Sequence, residues 1–403
     1  MKIMIKCCLS VFITVFLFGC ASTNFTNIES DTSFEHVTDE KSLWKQVEEI
    51  QNKLVDSDAI YPDDDLHNYV NGVLDKLADG NKEQWGGDID AHIIYDSDFN
   101  AAMYPNGFMI VNTGLLANID NEAQLALILG HELTHFLHRH SLKQINNQVN
   151  ITAALSTFRV AAVGAAYGLA YSGYDTSAIS AIHDTISLGL QGMFYGYSRS
   201  SERDADQNGY ELMEKAGYDT REAKAVLENM LKAQNLLDKK NKTPYFYSSH
   251  PKTKMRIDNY EKYLKELAKE SGETVPATIK NEQEYMAQVK ELIIDNLELD
   301  IKKSNINLAK SQMEKYIRTY SDDHKSLYFE ALILLQEGQK DEAIRKLNKS
   351  KEMNKDNPAV LKELGIQLYK NEEKREAKEN FQRYLEIQPD AKDAEFIRGY
   401  INE

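Results

Sequence analysis

The chain has 403 residues, with 47 Lys and Arg against 63 Asp and Glu and a formal net charge of −16. A surface this acidic has no electrostatic attraction for a phosphate backbone, which sets nucleic-acid binding aside. At 42% hydrophobic composition the chain is apolar and long enough for two or three separate cores.

Residues 1–20 begin with Lys2 and Lys6, continue as an apolar run from Leu9 to Phe18, and end in Leu17-Phe18-Gly19-Cys20. This resembles a bacterial lipoprotein signal and predicts cleavage before Cys20. Cys7 and Cys8 then leave with the signal and Cys20 carries lipid, so packing and metal, not disulfides, must stabilise the rest. Removing the two lysines takes the formal charge from −16 to −18. No Asp follows Cys20, a pattern similar to that of lipoproteins sent to the outer membrane, so the expected location is the periplasm, lipid-anchored there. Residues 21–40, rich in Ser, Thr, Asn and Asp without apolar periodicity, read as a flexible tether.

Leu66, Tyr69, Val70, Val73, Leu74 and Leu77 keep helical spacing, and Gly80 is a stop signal. Ile89–Tyr95 and Phe108–Asn112 read as strands, with Pro105-Asn106-Gly107 as a turn between them. Met109, Ile110, Val111 and Asn112 are expected to form an exposed edge able to bind substrate as an added strand. A helix capped by Asp120 or Asn121 should follow and run to about His140.

That helix carries His131-Glu132-Leu133-Thr134-His135. A spacing of four puts both imidazoles on one face, where they can grip a divalent metal, with Glu132 placed to take a proton from water. A catalytic zinc needs a third protein ligand. His138 shares the face but lies about 10 Å along the axis from His131, too far to reach the same ion, and reads as a structural or surface histidine. Residues 151–172 and 178–197 are helical in pattern and expected to shield the site. Beyond them, Glu202 and Asp206 would share a helix face, one to bind metal and the other to fix a ligand histidine's tautomer. By spacing alone, a solvated acidic helix start explains them equally well.

The end of the chain is internally repetitive. At an offset of about 34 residues, Ala331 aligns with Gly365, Ala343 with Ala377, and Leu347 with Phe381. This resembles the tetratricopeptide repeat, with clear copies at 324–357 and 358–391 and a weak one around Leu297 and Ala309.

Three separated stretches, Asn100-Ala101 to Pro105-Asn106-Gly107, Gly130-His131-Glu132-Leu133-Thr134-His135 and Glu202-Arg203-Asp204-Ala205-Asp206, resemble the M48 family of zinc metallopeptidases over roughly residues 40–265. The resemblance implies one Zn2+ per chain held by His131, His135 and Glu202, with Glu132 as catalytic acid–base. Asp206 would stand behind a ligand. It also implies that Ser249-His250-Pro251 returns toward the metal, so that His250 either stabilises the oxyanion or fills the open position; Arg256 would orient that segment or pair with an acid. The expected fold is mainly α with a small β-sheet, a zincin-type (gluzincin) metallopeptidase domain followed by an α-solenoid. Its segments are a signal at 1–20, a tether at 21–40, the peptidase domain at 41–268, a linker at 269–289 and repeats at 290–403. The expected function is hydrolysis of unfolded or misassembled envelope proteins, with the outer-membrane assembly machinery as a partner of the repeats. A scaffold with dormant proteolysis is the competing expectation.

Overall fold

The computed structural model describes residues 26–28, 38–85, 89–148, 197–237, 250, 253–270, 278–320 and 323–402. Cys20, the expected lipidation site, most of the expected tether and most of residues 151–172 and 178–197, expected to be shielding helices, lie outside the described residues.

Helices α1 (Thr38–Val55) and α2 (Asp64–Ala78) precede the sheet. In α2 the Asp63 side chain caps the N-terminus by accepting from Leu66 N, and Leu66, Val70, Val73, Leu74 and Leu77 are buried at helical spacing. Asp79 in the left-handed region ends it, one residue before the expected Gly80.

Strands β1 (Ala91–Ile94), β2 (Ala101–Met103) and β3 (Met109–Asn112) form one sheet in the order β1-β3-β2. The turn at Pro105-Asn106-Gly107 joins β2 to β3, with Gly107 at φ 93°, a conformation glycine adopts without strain. The expectation that Met109–Asn112 is an exposed edge is corrected here. β3 is the central strand, parallel to β1 and antiparallel to β2, and all four of its residues are buried. Met109, Ile110, Val111 and Asn112 are paired on both sides, which leaves no edge for a further strand. The short β2, Ala-Ala-Met, carries no β-branched residue to announce it.

Helix α3 (Thr113–Asn118) leads into α4 (Glu122–Leu137), which is capped by Asn121 accepting from Gln124 N and is buried on every side from Glu122 to Phe136. α4 ends earlier than the expected His140, because Arg139 takes a left-handed φ of 53° and starts α5 (His140–Gln148) in a new direction. Helices α6 (Arg199–Lys215), α7 (Glu222–Leu236) and α8 (Thr253–Glu270) complete the shell around α4.

The C-terminal part is helical throughout: α9 (Glu282–Gln288), α10 (Lys290–Lys302), α11 (Ile306–Thr319), α12 (His324–Gln336), α13 (Lys340–Met353), α14 (Pro358–Lys370), α15 (Lys374–Ile387) and α16 (Ala394–Asn402). Gly365 lies under the Phe381 ring, where an added Cβ would fall 2.5 Å from Cε1, so the small residue admits the aromatic one. One apolar core runs without a break from α2 and the sheet through α4 to Tyr285, Ile293, Leu297, Leu308, Tyr316 and Phe329, while Leu347, Leu361, Leu364 and Phe381 belong to a second. The first helices of the tail are therefore packed into the same core as α4.

Candidate metal centre

Burial of α4 on all sides forces its polar residues to find partners inside the protein. His131, Glu132 and His135 are each about 1% exposed. Opposite them, α6 is capped by Ser198 and buries Glu202, Ala205, Asp206 and Gly209 along one face. The acidic stretch is thus an inward-facing stripe; the solvated helix start is excluded by burial.

Four side chains converge. His131 Nε2 lies 3.1 Å from His135 Nε2 and 3.2 Å from His250 Nδ1. Glu202 Oε1 is 2.8 Å from His250 Nδ1 and 3.5 Å from His135 Nε2, and Glu202 Oε2 is 3.9 Å from His131 Nε2. One ligand atom from each of His131, His135, Glu202 and His250 lies within 4.8 Å of every other. Ligands at zinc bond lengths around a tetrahedron are roughly 3.3 Å apart, so these separations fit a zinc-sized ion. Buried Glu202 Oε2 has no hydrogen-bond donor among the described residues, as expected of an oxygen whose partner is a cation.

Each ring is held from behind. His131 Nδ1 lies 3.1 Å from Asp206 Oδ1, which also accepts from Arg256 Nη2 at 2.7 Å. A proton on His131 Nδ1 satisfies the carboxylate and leaves Nε2 with its lone pair toward the cluster. Burial raises the Asp206 carboxyl, but Arg256 and His131 outweigh it and hold it below its ordinary value. Arg256 therefore pairs with an acid of the site itself. His135 stacks on Tyr197 at 3.7 Å and 12°, and its Nδ1 meets His140 Nδ1 at 2.9 Å. Neither Tyr197 nor His140 stands out in the sequence as a site residue; the only sequence signal is the density of histidines after His135.

Burial lifts the Glu132 carboxyl above its ordinary value, against the nearby His250 and His131. Burial likewise pushes the His135 imidazole well down, keeping it neutral. Glu202 is pushed up by burial, yet His250 and the hydrogen bonds from His135 and His250 hold it far below the usual range. A neutral histidine and an ionised carboxylate are the protonation states metal binding requires. His138 is not brought to this cluster; its Nδ1 turns to Asp204.

Residues 62–264 match the model of peptidase family M48. The chain belongs to peptidase family M48. Among relatives, it is 28% identical over 165 residues to the putative beta-barrel assembly-enhancing protease of Vibrio cholerae, covering 41% of this chain and 32% of that protein. It is 33% identical over 175 residues to the mitochondrial metalloendopeptidase OMA1 of Schizosaccharomyces pombe, covering 43% of this chain and 46% of that protein. The matched segments thus span less than half the length of either relative. Within family M48, whose members use zinc, the His131, His135, Glu202 and His250 cluster is the place where this chain could hold it.

Proposed function

We propose that this M48 protein is a zinc endopeptidase, with His131, His135 and Glu202 holding the metal and Glu132 acting as general base. The observation that carries this reading is the convergence of those donors around buried Glu132. A zinc ion held there supplies Lewis acidity, polarising the scissile carbonyl and lowering the pKa of water. Glu132 accepts the proton of the attacking water and passes it to the departing amine; its raised pKa suits both halves of that transfer. Asp206 and Arg256 keep His131 in register. No covalent acyl intermediate is needed.

His250 supports a closed resting state rather than an oxyanion role. Its Nδ1 stands among the metal-facing atoms and its Nε2 lies 3.4 Å from Glu132 Oε1, so it fills the space that water and a carbonyl would share. Displacement of the His250 side chain would open the site.

Substrate binding falls to β2 in place of β3. Residues 100, 102 and 104 pair with β3, as Asn112 N donating to Asn100 O and Tyr104 N donating to Phe108 O indicate, so the main-chain groups of Ala101 and Met103 point to the other side. Ala101 and Met103 are themselves buried, so an extended peptide would need this edge uncovered; it would then be read mostly through its backbone, which favours unfolded chains.

The finer assignment rests on the sequence and on relatives. The helix pairs beginning at Lys290, His324 and Pro358 succeed one another every 34 residues, which supports tetratricopeptide repeats that hold a partner. The Cys20 signal and a relative called a beta-barrel assembly-enhancing protease support a lipid-anchored envelope enzyme acting on misassembled envelope proteins.

Cleavage of an unfolded protein by the purified chain, compared with Glu132→Gln and with bound metal quantified in both, tests the reading. Zinc in both with activity falling at least ~100-fold in the variant is expected. Equal cutting by both would overturn the role of Glu132; metal in neither would overturn the site.

A further inference from the structure

Arg139 sits between two histidines in the left-handed region, at φ 53°, a conformation that costs a non-glycine residue on the order of 1 kcal/mol. Its effect is to reverse the divergence expected of residues two apart on a helix. The His138 and His140 rings instead lie side by side, edge to face, at 5.7 Å and 85°. Both meet Asp204 on α6: His140 Nε2 lies 3.0 Å from Oδ2, and His138 Nδ1 is in close contact with the same oxygen. Asn208 donates to the other oxygen, Oδ1, at 3.2 Å. The three ligand atoms lie within 4.8 Å of one another. His140 is buried, while the His138 and Asp204 side chains are 18% and 41% exposed, so the group opens to solvent on one side.

We propose that His138, His140 and Asp204 form a second divalent-cation site, weaker than the first, whose loading loosens the hold of His135 on the first metal. The inference rests on the assignment of His131, His135 and Glu202 as metal ligands. Two imidazoles and one carboxylate from three elements are a zinc-type donor set, with solvent available for the fourth position. A partly exposed set competes with water more than the buried first cluster does.

The coupling follows from the 2.9 Å contact between His135 Nδ1 and His140 Nδ1. Only one proton fits between two nitrogens at that distance. When His135 offers Nε2 to the first metal, its proton is on Nδ1 and is donated to His140 Nδ1. Neutral His140 then carries its own proton on Nε2, where it is donated to Asp204. A cation between His140 and Asp204 needs that Nε2 lone pair, which moves the His140 proton to Nδ1. Two N–H groups would then face each other across 2.9 Å, and His135 must turn or give up its proton arrangement.

The test is to titrate the purified full chain with Zn2+ alone. It counts bound zinc per chain and follows release of the first equivalent with isotopically labelled zinc. The wild type should take a second equivalent as free zinc rises, with release of the first quickened by roughly 5- to 100-fold, the usual span of site–site coupling. His138→Ala and Asp204→Asn should each lose the second equivalent, and His138→Ala, at a half-buried position, should keep the first with its slow release. A single tight equivalent at every concentration overturns this proposal alone, as does a second equivalent that persists in both variants or leaves release unchanged. Absence of any tight equivalent overturns the first-site assignment and this proposal with it.

Discussion

Gly130 on α4 backs directly onto Gly209 on α6, main chain against main chain. A Cβ on Gly209 would fall 2.8 Å from His131 N and 3.0 Å from Gly130 C, and one on Gly130 would fall 3.0 Å from Gly209 O. These neighbours are backbone, so they cannot swing away. The contact sets the distance at which Glu202, two turns before Gly209, faces His131 and His135.

Gly209→Ala should therefore push α6 outward and weaken metal binding in addition to destabilising the fold. We expect zinc affinity to fall about 10-fold or more, with stability reduced by roughly 1–3 kcal/mol, as for overpacking of a tight interior. Competition with a chelator and urea denaturation of the metal-free protein measure the two separately. Wild-type affinity in the variant would show that the glycine contact does not position Glu202.

Asp206 accepts from both His131 and Arg256 and orients a ring that faces the metal from its other nitrogen. Asp206→Asn should cost about 10- to 100-fold in metal affinity, the usual range for outer partners of ligand histidines. Metal content during dialysis against a chelator series reads this directly. Retention equal to wild type would leave Arg256 and Asp206 as an ordinary buried pair.

The edge of β2 makes a substrate-side prediction that leaves the enzyme untouched. Replacing single amide N–H groups of a peptide substrate by ester oxygen should raise KM by roughly 2- to 10-fold where the lost donor faced Ala101 or Met103, since one hydrogen bond is worth about 0.5–1.5 kcal/mol. Sensitive and insensitive positions should alternate with period two, as main-chain groups do along an antiparallel pair. A flat response along the peptide would count against strand addition.

Which of these features could be read from the sequence depended on how local their causes are. The spacing of His131 and His135, a cap at Asp120 or Asn121 and the shared face of Glu202 and Asp206 are properties of single helices, set by 3.6-residue periodicity, although spacing alone did not separate an inward-facing Glu202 from a solvated helix start. The central place of β3 is not legible in the sequence, because strand order is decided by which segment pairs on each side, and Ala101–Met103 carries no β-forming side chain. The end of α4 shifted because one left-handed residue, Arg139, overrode a pattern that continued through His140. The arrival of His250 beside Glu202 joins residues 48 apart in sequence; the spacing of its neighbours alone does not specify that contact.

Packing of the tail predicts where truncation becomes destructive. Tyr285, Ile293 and Leu297 are fully buried in the core that also contains Leu116 and Ile119, Tyr285 Oη donates to Leu116 O at 2.7 Å, and Lys315 Nζ donates to Ala117 O at 3.1 Å. Each large side chain removed exposes its cavity at about 1.5–3 kcal/mol. A chain ending at residue 280 should fail to fold cooperatively, whereas one ending at Gly338 keeps the first core, including Phe329 and Ile333, and should retain zinc and a cooperative melt. Cooperative, zinc-loaded folding of the shorter chain would show that the tail packs on a core already complete.

Asp300 lies at the same junction, fully buried, and accepts from Gln312 at 2.9 Å, Asn305 at 3.0 Å and Asn296 at 3.2 Å. Burial lifts its carboxyl to about 6, against those hydrogen bonds and the nearby Lys303. In the unfolded chain an aspartate titrates near ~3.9. Between these values the native state binds more protons than the unfolded state, so stability contributed by this group falls as pH rises. The cost of the charged form is absent below the unfolded value and complete above the folded one, and amounts to roughly 3 kcal/mol. Asparagine at this position cannot titrate. The stability of wild type minus that of Asp300→Asn, measured by urea denaturation at a series of pH values, should therefore decline as pH rises between about 4 and 7 and level off above. A difference that stays flat, or climbs over that window, would mean that the three amide donors stabilise the carboxylate enough to cancel its burial.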